Sequence, residues 1–397
     1  MKGSILMDVK QIYSLVNDAT KETIGDSIVL NEDLSNVVDL GKAVIGADAV
    51  DNYVKKLTDR IGRVIFVNRP YGGNTPSIMM DAWEYGSILQ KISAEMPDAV
   101  ENPTWKLTNG QSYDPNVFNG PKVDSKFFNN KTTFEIDMSF TEKQVKESFA
   151  SVGEMNGFIS MLYNEIDKSM TVKIDGLAKR TITNMIAQTF HSLNGSGNYS
   201  TGNVRCVNLL SLYNARFGTT LTADKALTDK EFIRFATMQM ALYIDRLSTI
   251  SKLFNIGGKA RFTSGDMLKV VMLSDFKAAS GAYLQSDTFH NDYVALPNAD
   301  TVPYWQGSGN DYGFSSTSAI DVKTLIDGTA TAVKASGILA CMFDRDALGV
   351  SNLDRRVTTN YNPKAEFYNN FYKFDAGYYN DLNENFVVFY VADSTGE

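Results

Sequence analysis

The chain has 397 residues, of which 43% are hydrophobic and 21% charged, so it can form a sizeable folded core. Its formal net charge is -8, and neither terminus carries a run of Lys or Arg, which excludes a chain that grips nucleic acid through a strongly basic surface. The first residues lack the apolar core of a signal peptide, and no window of about 18 residues is apolar enough for a membrane helix. We therefore expect a protein that is made and kept in the cytosol and has no membrane contact.

The two cysteines, Cys206 and Cys341, lie far apart in the sequence. A disulfide framework or a zinc site needs more cysteines at close spacing. We predict two buried, reduced thiols.

Residues 1–46 form a leader that begins with apolar residues at the spacing of one short helical face: Val9, Ile12, Tyr13 and Val16. The run that follows, through Leu40 and Gly41, contains Gly and Asp and predicts an extended segment. Because such a leader has little to bury by itself, we expect it to lie on another surface.

The segment 47–59 predicts a helix, because its apolar residues recur at helical spacing: Val50, Tyr53, Val54 and Leu57. A run rich in β-branched residues, 63–67, predicts a strand after it. Most of the prolines then lie between residues 70 and 136, among scattered aromatic residues. Disordered segments are usually poor in aromatic residues, so an ordered loop or long hairpin that gains burial from a neighbour fits this segment better.

A regular region follows the loop. Alternating apolar residues predict a strand over 131–140, and Thr141 with Gln144 has the spacing of a capping box at a helix start. Beyond Gly153, apolar residues step by three or four as far as His191, which predicts one long helix. Its predicted buried face is Phe158, Leu162, Ile166, Met170, Ile174, Leu177, Thr181 and Met185.

A second unit, mixed in α and β structure, is predicted after the Gly-rich break at 194–198. A capping box at 228–231 opens a helix with an apolar face of Phe232, Phe235, Met238 and Leu242. Short apolar runs at 270–273 and 337–340 predict buried strands, and 386–390 predicts a last strand. The order of these elements predicts an α+β fold.

We find no motif for catalysis, a cofactor or a metal. The two histidines, His191 and His290, lie outside any recognisable motif, and His191 is expected at the end of the long helix. We interpret Asp344 and Asp346, with Arg345 between them, as a solvated turn and not as an acid/base pair or metal site. The basic residues that could contact phosphate lie beside acidic residues and predict solvated faces: Lys143, Lys146, Arg355 and Arg356.

This order of elements resembles the Hong Kong 97-type coat fold, which is shared by the major capsid proteins of tailed bacteriophages and by encapsulin shells. Three local strings are also similar to phage coat proteins, namely 57–64 (LTDRIGRV), 83–86 (WEYG) and 269–276 (KVVMLSDF). None of them is a strict signature, but the resemblance covers nearly the whole chain.

The resemblance implies an N-terminal arm at 1–46, an extended loop at 70–136, a peripheral domain and an axial domain. The peripheral domain would take 47–69, 137–200 with the spine helix, and the return strands at 356–397, and the axial domain would take 201–355. In that family the arm and loop lie across neighbouring subunits. We therefore predict intersubunit contacts for aromatic residues of the loop: Trp83, Tyr85, Trp105, Tyr113 and Phe118.

The function that the resemblance implies is a major capsid protein. It would assemble into the pentamers and hexamers of an icosahedral phage head around double-stranded DNA, held by weak contact. The implied partners are other copies of the chain, a separate scaffolding protein and a portal protein, and the implied location is the virion, assembled in the host bacterial cytoplasm. Some relatives cross-link a loop lysine to a neighbour. No motif selects one here, so we expect no cross-link at the loop lysines Lys91, Lys106, Lys122, Lys126 and Lys131.

Three other interpretations stay open at this stage. An encapsulin-type compartment shares the fold but encloses protein cargo. An enzyme with an unrecognised carboxylate site would be a small oligomer with turnover. A host surface or adhesion protein is disfavoured by the missing signal segment.

Overall fold

A computed structural model confirms the α+β class, with helices and mainly antiparallel strand pairs among the described residues. It describes residues 9–25, 30–46, 49–57, 78–80, 89–97, 99, 101, 109–110, 112, 116, 118–195, 199–285, 299–305, 311, 313–326 and 328–393. The predicted strand at 63–67 and His290 lie outside these residues.

The helices of the described residues are α1 (Val9–Ile24), α2 (Val37–Gly46), α3 (50–57), α4 (Glu142–Ser148), α5 (Val152–His191), α6 (Leu209–Phe217), α7 (Ala223–Ala226), α8 (Lys230–Ser248), α9 (Ser274–Gln285) and α10 (Phe314–Thr317). The strands are β1 (Met79–Met80), β2 (Leu89–Ala94), β3 (Val123–Phe128), β4 (Lys131–Thr141), β5 (Cys206–Asn208), β6 (Leu268–Leu273), β7 (Asp300–Val302), β8 (Ile320–Ile326), β9 (Thr329–Ala335), β10 (Ile338–Asp344), β11 (Leu348–Asn362), β12 (Phe367–Asn380) and β13 (Phe386–Tyr390).

These strands form two larger sheets and two hairpins. One sheet has the order β1-β11-β12-β4, the other has the order β5-β13-β10-β6-β7, and the hairpins are β2-β3 and β8-β9. The chain divides into two compact units. The first takes residues 1–74, 131–177 and 351–377, and the second takes 75–130, 178–350 and 378–397.

In the first unit the leader is helical, and part of its prediction was wrong. The apolar face predicted for α1 is buried at Ile12 and Val16, but the run through Leu40 and Gly41 is the helix α2 and not an extended segment. Gly41 is needed there because a Cβ atom would overlap the side chain of Phe149. This close approach explains a glycine that, in the sequence, argued against a helix.

The leader also packs on its own chain. Lys56 of α3 pairs with Glu22 of α1 at 3.1 Å, and the ring centroids of Tyr53 and Phe149 lie 5.4 Å apart. The predicted apolar face of α3 is confirmed, since all four residues are buried: Val50, Tyr53, Val54 and Leu57. Within the first unit, therefore, the arm buries its apolar faces without a neighbouring subunit.

The predicted strand at 131–140, the capping box and the long helix are confirmed. β4 alternates exposed and buried residues along its length, and Thr141 caps α4 while the Gln144 side chain accepts from the Thr141 amide. The helix α5 has 40 residues. Its predicted face is buried from Leu162 to Met185, whereas Phe158 is half-buried and packs edge-on against Phe140 at 5.4 Å.

In the second unit the five-stranded sheet holds the apolar runs that predicted buried strands. β10 pairs with β6 on one side and with β13 on the other. Cys341 of β10 and Cys206 of β5 both lie opposite Val388 of β13, so two inter-strand spacings of about 4.8 Å separate their backbones. A disulfide needs Cα atoms within about 7 Å, and the prediction of two buried, unpaired thiols is confirmed.

Two details of the second unit differ from the predictions. The cap of α8 is Asp229, whose carboxylate accepts from the amide of Phe232, and not Thr228. Met238 and Leu242 are 38% and 41% exposed, so the buried face of α8 is turned away from them.

The grouping of segments also differs from the predicted domains. Residues 178–200 and 378–397 were predicted to be parts of the peripheral segments 137–200 and 356–397. They belong instead to the same compact unit as residues 201–350. The reason is the strand β13, whose residues are all buried between β5 and β10. A strand that is apolar on both faces has to lie inside a sheet, and this sheet is in the second unit.

Candidate interaction surface

Four of the five predicted contact residues, Trp83, Tyr85, Trp105 and Tyr113, lie outside the described residues, so their role stays a prediction. The fifth, Phe118, is described, and its side chain is 92% exposed. An aromatic ring with so little burial in its own subunit is available to a partner.

The hairpin β2-β3 lies in the same predicted loop and has two different faces. Antiparallel pairing places Gln90 opposite Phe127 and Ile92 opposite Ser125. These residues belong to the outward face, whose members are all exposed: Gln90, Ile92, Ala94, Val123, Ser125 and Phe127. Ile92, Val123 and Phe127 are 64%, 60% and 62% exposed. The outward face is uncharged and largely apolar.

The opposite face of the hairpin, the inward face, carries the charges. It consists of residues that alternate with the outward ones and are partly buried: Leu89, Lys91, Ser93, Asp124, Lys126 and Phe128. A hairpin on a solvated surface normally turns its apolar residues inward and its charged residues outward. This hairpin has largely the inverse arrangement, because all of its charged residues lie inward, beside Leu89 and Phe128, while Ile92, Val123 and Phe127 lie outward.

The lysines of the inward face bind the turn between β12 and β13, residues 381–385, which we call the acidic turn. Lys91 Nζ lies 3.0 Å from Asp381 Oδ2 and 2.7 Å from Glu384 Oε1. Lys126 Nζ lies 3.1 Å from Asp381 Oδ1, and Arg261 Nε lies 3.3 Å from Glu384 Oε1. The Asp381 side chain is 3% exposed, so this carboxylate depends on its cations.

The backbone holds the acidic turn in place. The amide of Asp381 donates to the carbonyl of Ala347 at 2.7 Å, and the amide of Gly257 donates to the carbonyl of Leu382 at 2.7 Å. A Cβ atom at Gly257 would overlap the side-chain oxygen of Asn383, so this contact requires glycine. The two carboxylates therefore project from a fixed backbone.

The charges of this network favour its ionised form. Burial alone would raise the pKa of the Asp381 carboxyl, but Lys91, the amide of Asn383 and Lys126 outweigh burial and hold that pKa below its usual range. Burial alone would lower the pKa of Lys91, but its hydrogen bond to Glu384 and the charge of Asp381 raise it. Near neutral pH the network is therefore an ion-pair network and not a proton-transfer site.

The predicted turn at Asp344 is present but is not fully solvated. Asp344 is 6% exposed, and its carboxylate accepts from the Thr263 hydroxyl at 2.8 Å and the Asp346 amide at 2.9 Å. These bonds satisfy a buried carboxylate that closes a turn. No cluster of three His, Cys, Asp or Glu side chains that could hold a metal ion occurs among the described residues.

Three of the four basic residues considered as phosphate contacts have acidic partners, and the side chain of the fourth, Arg355, lies outside the described ones. Lys143 and Lys146 are exposed on α4 and pair with Glu147 at 3.6 Å and Glu142 at 2.5 Å. Arg356 pairs with Asp375 at 3.1 Å. Within the part of the chain that the structure describes, no helix is long and apolar enough to cross a membrane.

Comparison with known proteins identifies the family. Residues 12–390 match the family described as Phi29-like phage major capsid protein. The chain belongs to this family. The match spans nearly the whole sequence, and it does not favour the encapsulin, enzyme or adhesion interpretations. No curated protein matches the chain.

Solved phage capsids are also similar to this phage major capsid protein, at low identity. The capsid of Staphylococcus phage Andhra is 11% identical, with 80% of this chain and 83% of that chain covered at a TM-score of 0.49. The capsid of the Cyanophage P-SCSP1u is 9% identical, with 80% and 87% covered at 0.42. The mature capsid of bacteriophage PhiM1 is 10% identical, with 81% and 86% covered at 0.38. The assignment rests on the family match.

The predicted function is thereby confirmed, since the chain is a major capsid protein of a phage head and so part of the virion. Capsid proteins self-assemble into shells, so a surface that is apolar in the free subunit has a natural partner in other copies of the chain. Sequence reasoning missed the residues that hold the hairpin, Asp381 and Glu384. Their signal is faint, because two acids in a short turn between strands are common.

Proposed function

We propose that the outward face of the hairpin β2-β3 is a contact between neighbouring subunits of the phage head. The observation that supports it is the inverse arrangement of the hairpin, with lysines against its own subunit and Ile92, Val123 and Phe127 exposed. Full burial of a large apolar side chain contributes about 1.5–3 kcal/mol relative to leaving it in water, and these three side chains lack most of that stabilisation in the free subunit. A second copy of the chain recovers that free energy.

The wider proposal is a Hong Kong 97-type subunit with revised domain limits. Within the first unit, residues 1–46 are assigned as the arm, and 47–69, 131–177 and 351–377 are assigned as the peripheral domain. Within the second unit, residues 178–350 and 378–397 are assigned as the axial domain, and the loop between residues 70 and 130 carries the hairpin. Contact of the loop aromatics Trp83, Tyr85, Trp105, Tyr113 and Phe118 with a neighbour belongs to this proposal.

The assembly that this subunit would build is an icosahedral head of pentamers and hexamers around double-stranded DNA. A separate scaffolding protein and a portal protein complete the proposed set of partners, and assembly takes place in the host cytoplasm. The acidic net charge of -8 supports weak contact with the packaged DNA, because most phosphate contacts require Lys or Arg. The subunit is proposed to have a structural role without catalysis.

A loop deletion tests the proposal. Residues 81–130 are replaced by a flexible Gly-Ser linker of about 12 residues, which keeps the Val350 amide bonded to the Ile78 carbonyl. Asp381→Asn accompanies the deletion, since removal of Lys91 and Lys126 would otherwise leave a buried carboxylate without its cations.

The expected result is a subunit that unfolds cooperatively on heating but forms no capsomers or shells in negative-stain electron microscopy. The full-length Asp381→Asn chain is the control for the substitution alone. Shells built by the deletion variant would overturn the assignment of the loop as an intersubunit contact.

A further inference from the structure

The inward face of the hairpin contacts the rest of the second unit at three successive levels along its strands, which we call rungs. At one end of the hairpin Phe128, which pairs with Leu89, packs against Tyr379 with the ring centroids 5.0 Å apart and the rings tilted by 41°. In the middle, Lys91 and Lys126 face the acidic turn. Toward the loop end, the inward face carries a negative charge.

The third rung consists of Glu95 and Asp124, and both pair with Lys259 from another segment of the chain. Lys259 Nζ lies 2.7 Å from Glu95 Oε1 and 3.6 Å from Asp124 Oδ2. Glu95 continues the inward alternation of Leu89, Lys91 and Ser93 one residue beyond the end of β2. Hydrogen bonding to Lys259 lowers the pKa of Glu95, which agrees with a formed pair.

The segment that carries Lys259 is fixed at both ends. Its Asn255 side chain donates to the Lys259 carbonyl at 2.7 Å and accepts from the Lys259 amide at 2.8 Å. Ser251 and Arg261 exchange two backbone hydrogen bonds, at 2.9 and 3.0 Å, and Arg261 also reaches Glu384. Lys259 and the acidic turn therefore belong to one rigid surface under the hairpin, which we call the seat.

The two charged rungs have opposite signs, and this fixes the position of the hairpin along its axis. A slip of two residues, about 7 Å, would keep the same face inward. It would also move Glu95 and Asp124 toward Asp381 and Glu384, and like charges that meet without solvent are strongly unfavourable. Apolar packing alone does not distinguish such registers.

We propose that Lys259, Asp381 and Glu384 are positioning residues, which seat the hairpin β2-β3 by charge pattern so that its outward face is presented to the neighbouring subunit in one fixed place. Presentation of the outward face to a neighbour rests on the proposed function. The seat itself belongs to the single subunit and does not depend on assembly.

Charge exchange tests the seat. Lys259→Glu places three carboxylates together at the third rung, and adding Glu95→Lys restores one pair of opposite charges. Both side chains are partly exposed, at 27% and 45%, so each tolerates the reversed charge in water. Lys373→Glu is the matched control, because Lys373 pairs with Glu135 at 2.9 Å across β12 and β4 with 37% and 42% exposure, in the first unit.

The readout is backbone amide exchange of residues 89–94 and 123–128 in the full-length chain under conditions that do not assemble shells. Lys259→Glu is expected to raise that exchange by about tenfold while exchange in the core strand β10 stays unchanged. The double variant is expected to return within about twofold of the original rate, and Lys373→Glu to leave it unchanged. Unchanged exchange in Lys259→Glu, or no rescue in the double variant, would overturn the seat.

Assembly of the same variants separates this proposal from the proposed function. If hairpin exchange follows the charge pattern and shell yield follows it too, both proposals are supported. If exchange follows the pattern while shell yield is the same in all variants, the seat is supported and its role in presenting the outward face to a neighbour is refuted. The outward face itself is then tested separately, by substitution of Ile92 and Phe127.

Discussion

The outward face of the hairpin offers the most informative substitution. Ile92→Thr with Phe127→Thr removes two exposed apolar side chains and keeps residues that suit a β-strand. Both side chains are more than three-fifths exposed in the subunit, at 64% and 62%. The change therefore leaves the inward face and the ion pairs intact.

The magnitude follows from the exposed area. Full burial of an Ile or Phe side chain contributes about 1.5–3 kcal/mol, and the exposed part of each could supply about 1–2 kcal/mol on contact. Loss of both would weaken each subunit contact by about 2–4 kcal/mol, which is roughly a 30- to 1000-fold change in its association constant. Folding should change by less than about 0.5 kcal/mol, because neither side chain is buried in the subunit.

The assay is the protein concentration at which shells first form, followed by light scattering and checked by electron microscopy. We expect that concentration to rise at least about tenfold in the double variant with an unchanged melting temperature. Leu325→Thr is the matched control, since Leu325 is 65% exposed in the other hairpin, β8-β9. A double variant that assembles at the original concentration would refute the reasoning.

Two further predictions concern the interior and the acidic turn. Gly41→Ala should lower the free energy of unfolding by about 1–3 kcal/mol, measured by thermal unfolding, because the new Cβ atom overlaps Phe149. Gly176→Ala is its control and should be neutral or stabilising, because nothing lies near a Cβ atom at that position. Because the folded pKa of Asp381 is lowered, its stabilising contribution is complete above the ordinary Asp value of about 3.9 and is lost as pH falls through the lowered value. The raised pKa of Lys91 preserves its contribution to stability up to about pH 10. Amide exchange of the hairpin, corrected for the intrinsic effect of pH, should therefore stay constant from about pH 6 to 9 and increase in acid. A change within the neutral range would contradict the ion-pair account.

Elements with a strong local pattern could be predicted from the sequence. The long helix α5 and the strand β4 have buried faces that repeat at 3.6 and 2 residues, and Thr141 with Gln144 marks the helix start between them. In each case the residues that decide the structure lie within a few positions of one another. Local periodicity is therefore sufficient evidence.

Features that depend on distant residues could not be predicted in this way. In the sequence Gly41 argues against a helix, and only its close contact with Phe149 explains why a glycine is there. Likewise Glu384, the partner of Lys91, is 293 positions away in the sequence. The sequence shows that Lys91 and Leu89 lie on the same face of a strand, because they are two residues apart. It does not show which of the two faces of the hairpin contacts its own subunit. Charged residues on the inward face reverse the usual pattern, in which the apolar face of a hairpin meets its own subunit.

A thiol at the outward face would test the central claim most directly. The native cysteines, Cys206 and Cys341, are buried, and burial raises the pKa of both thiols, so an Ile92→Cys side chain can be labelled selectively in the folded chain. The account predicts rapid labelling in the free subunit and protection in assembled shells. Equal labelling rates in the two states would contradict the outward face as the contact between subunits.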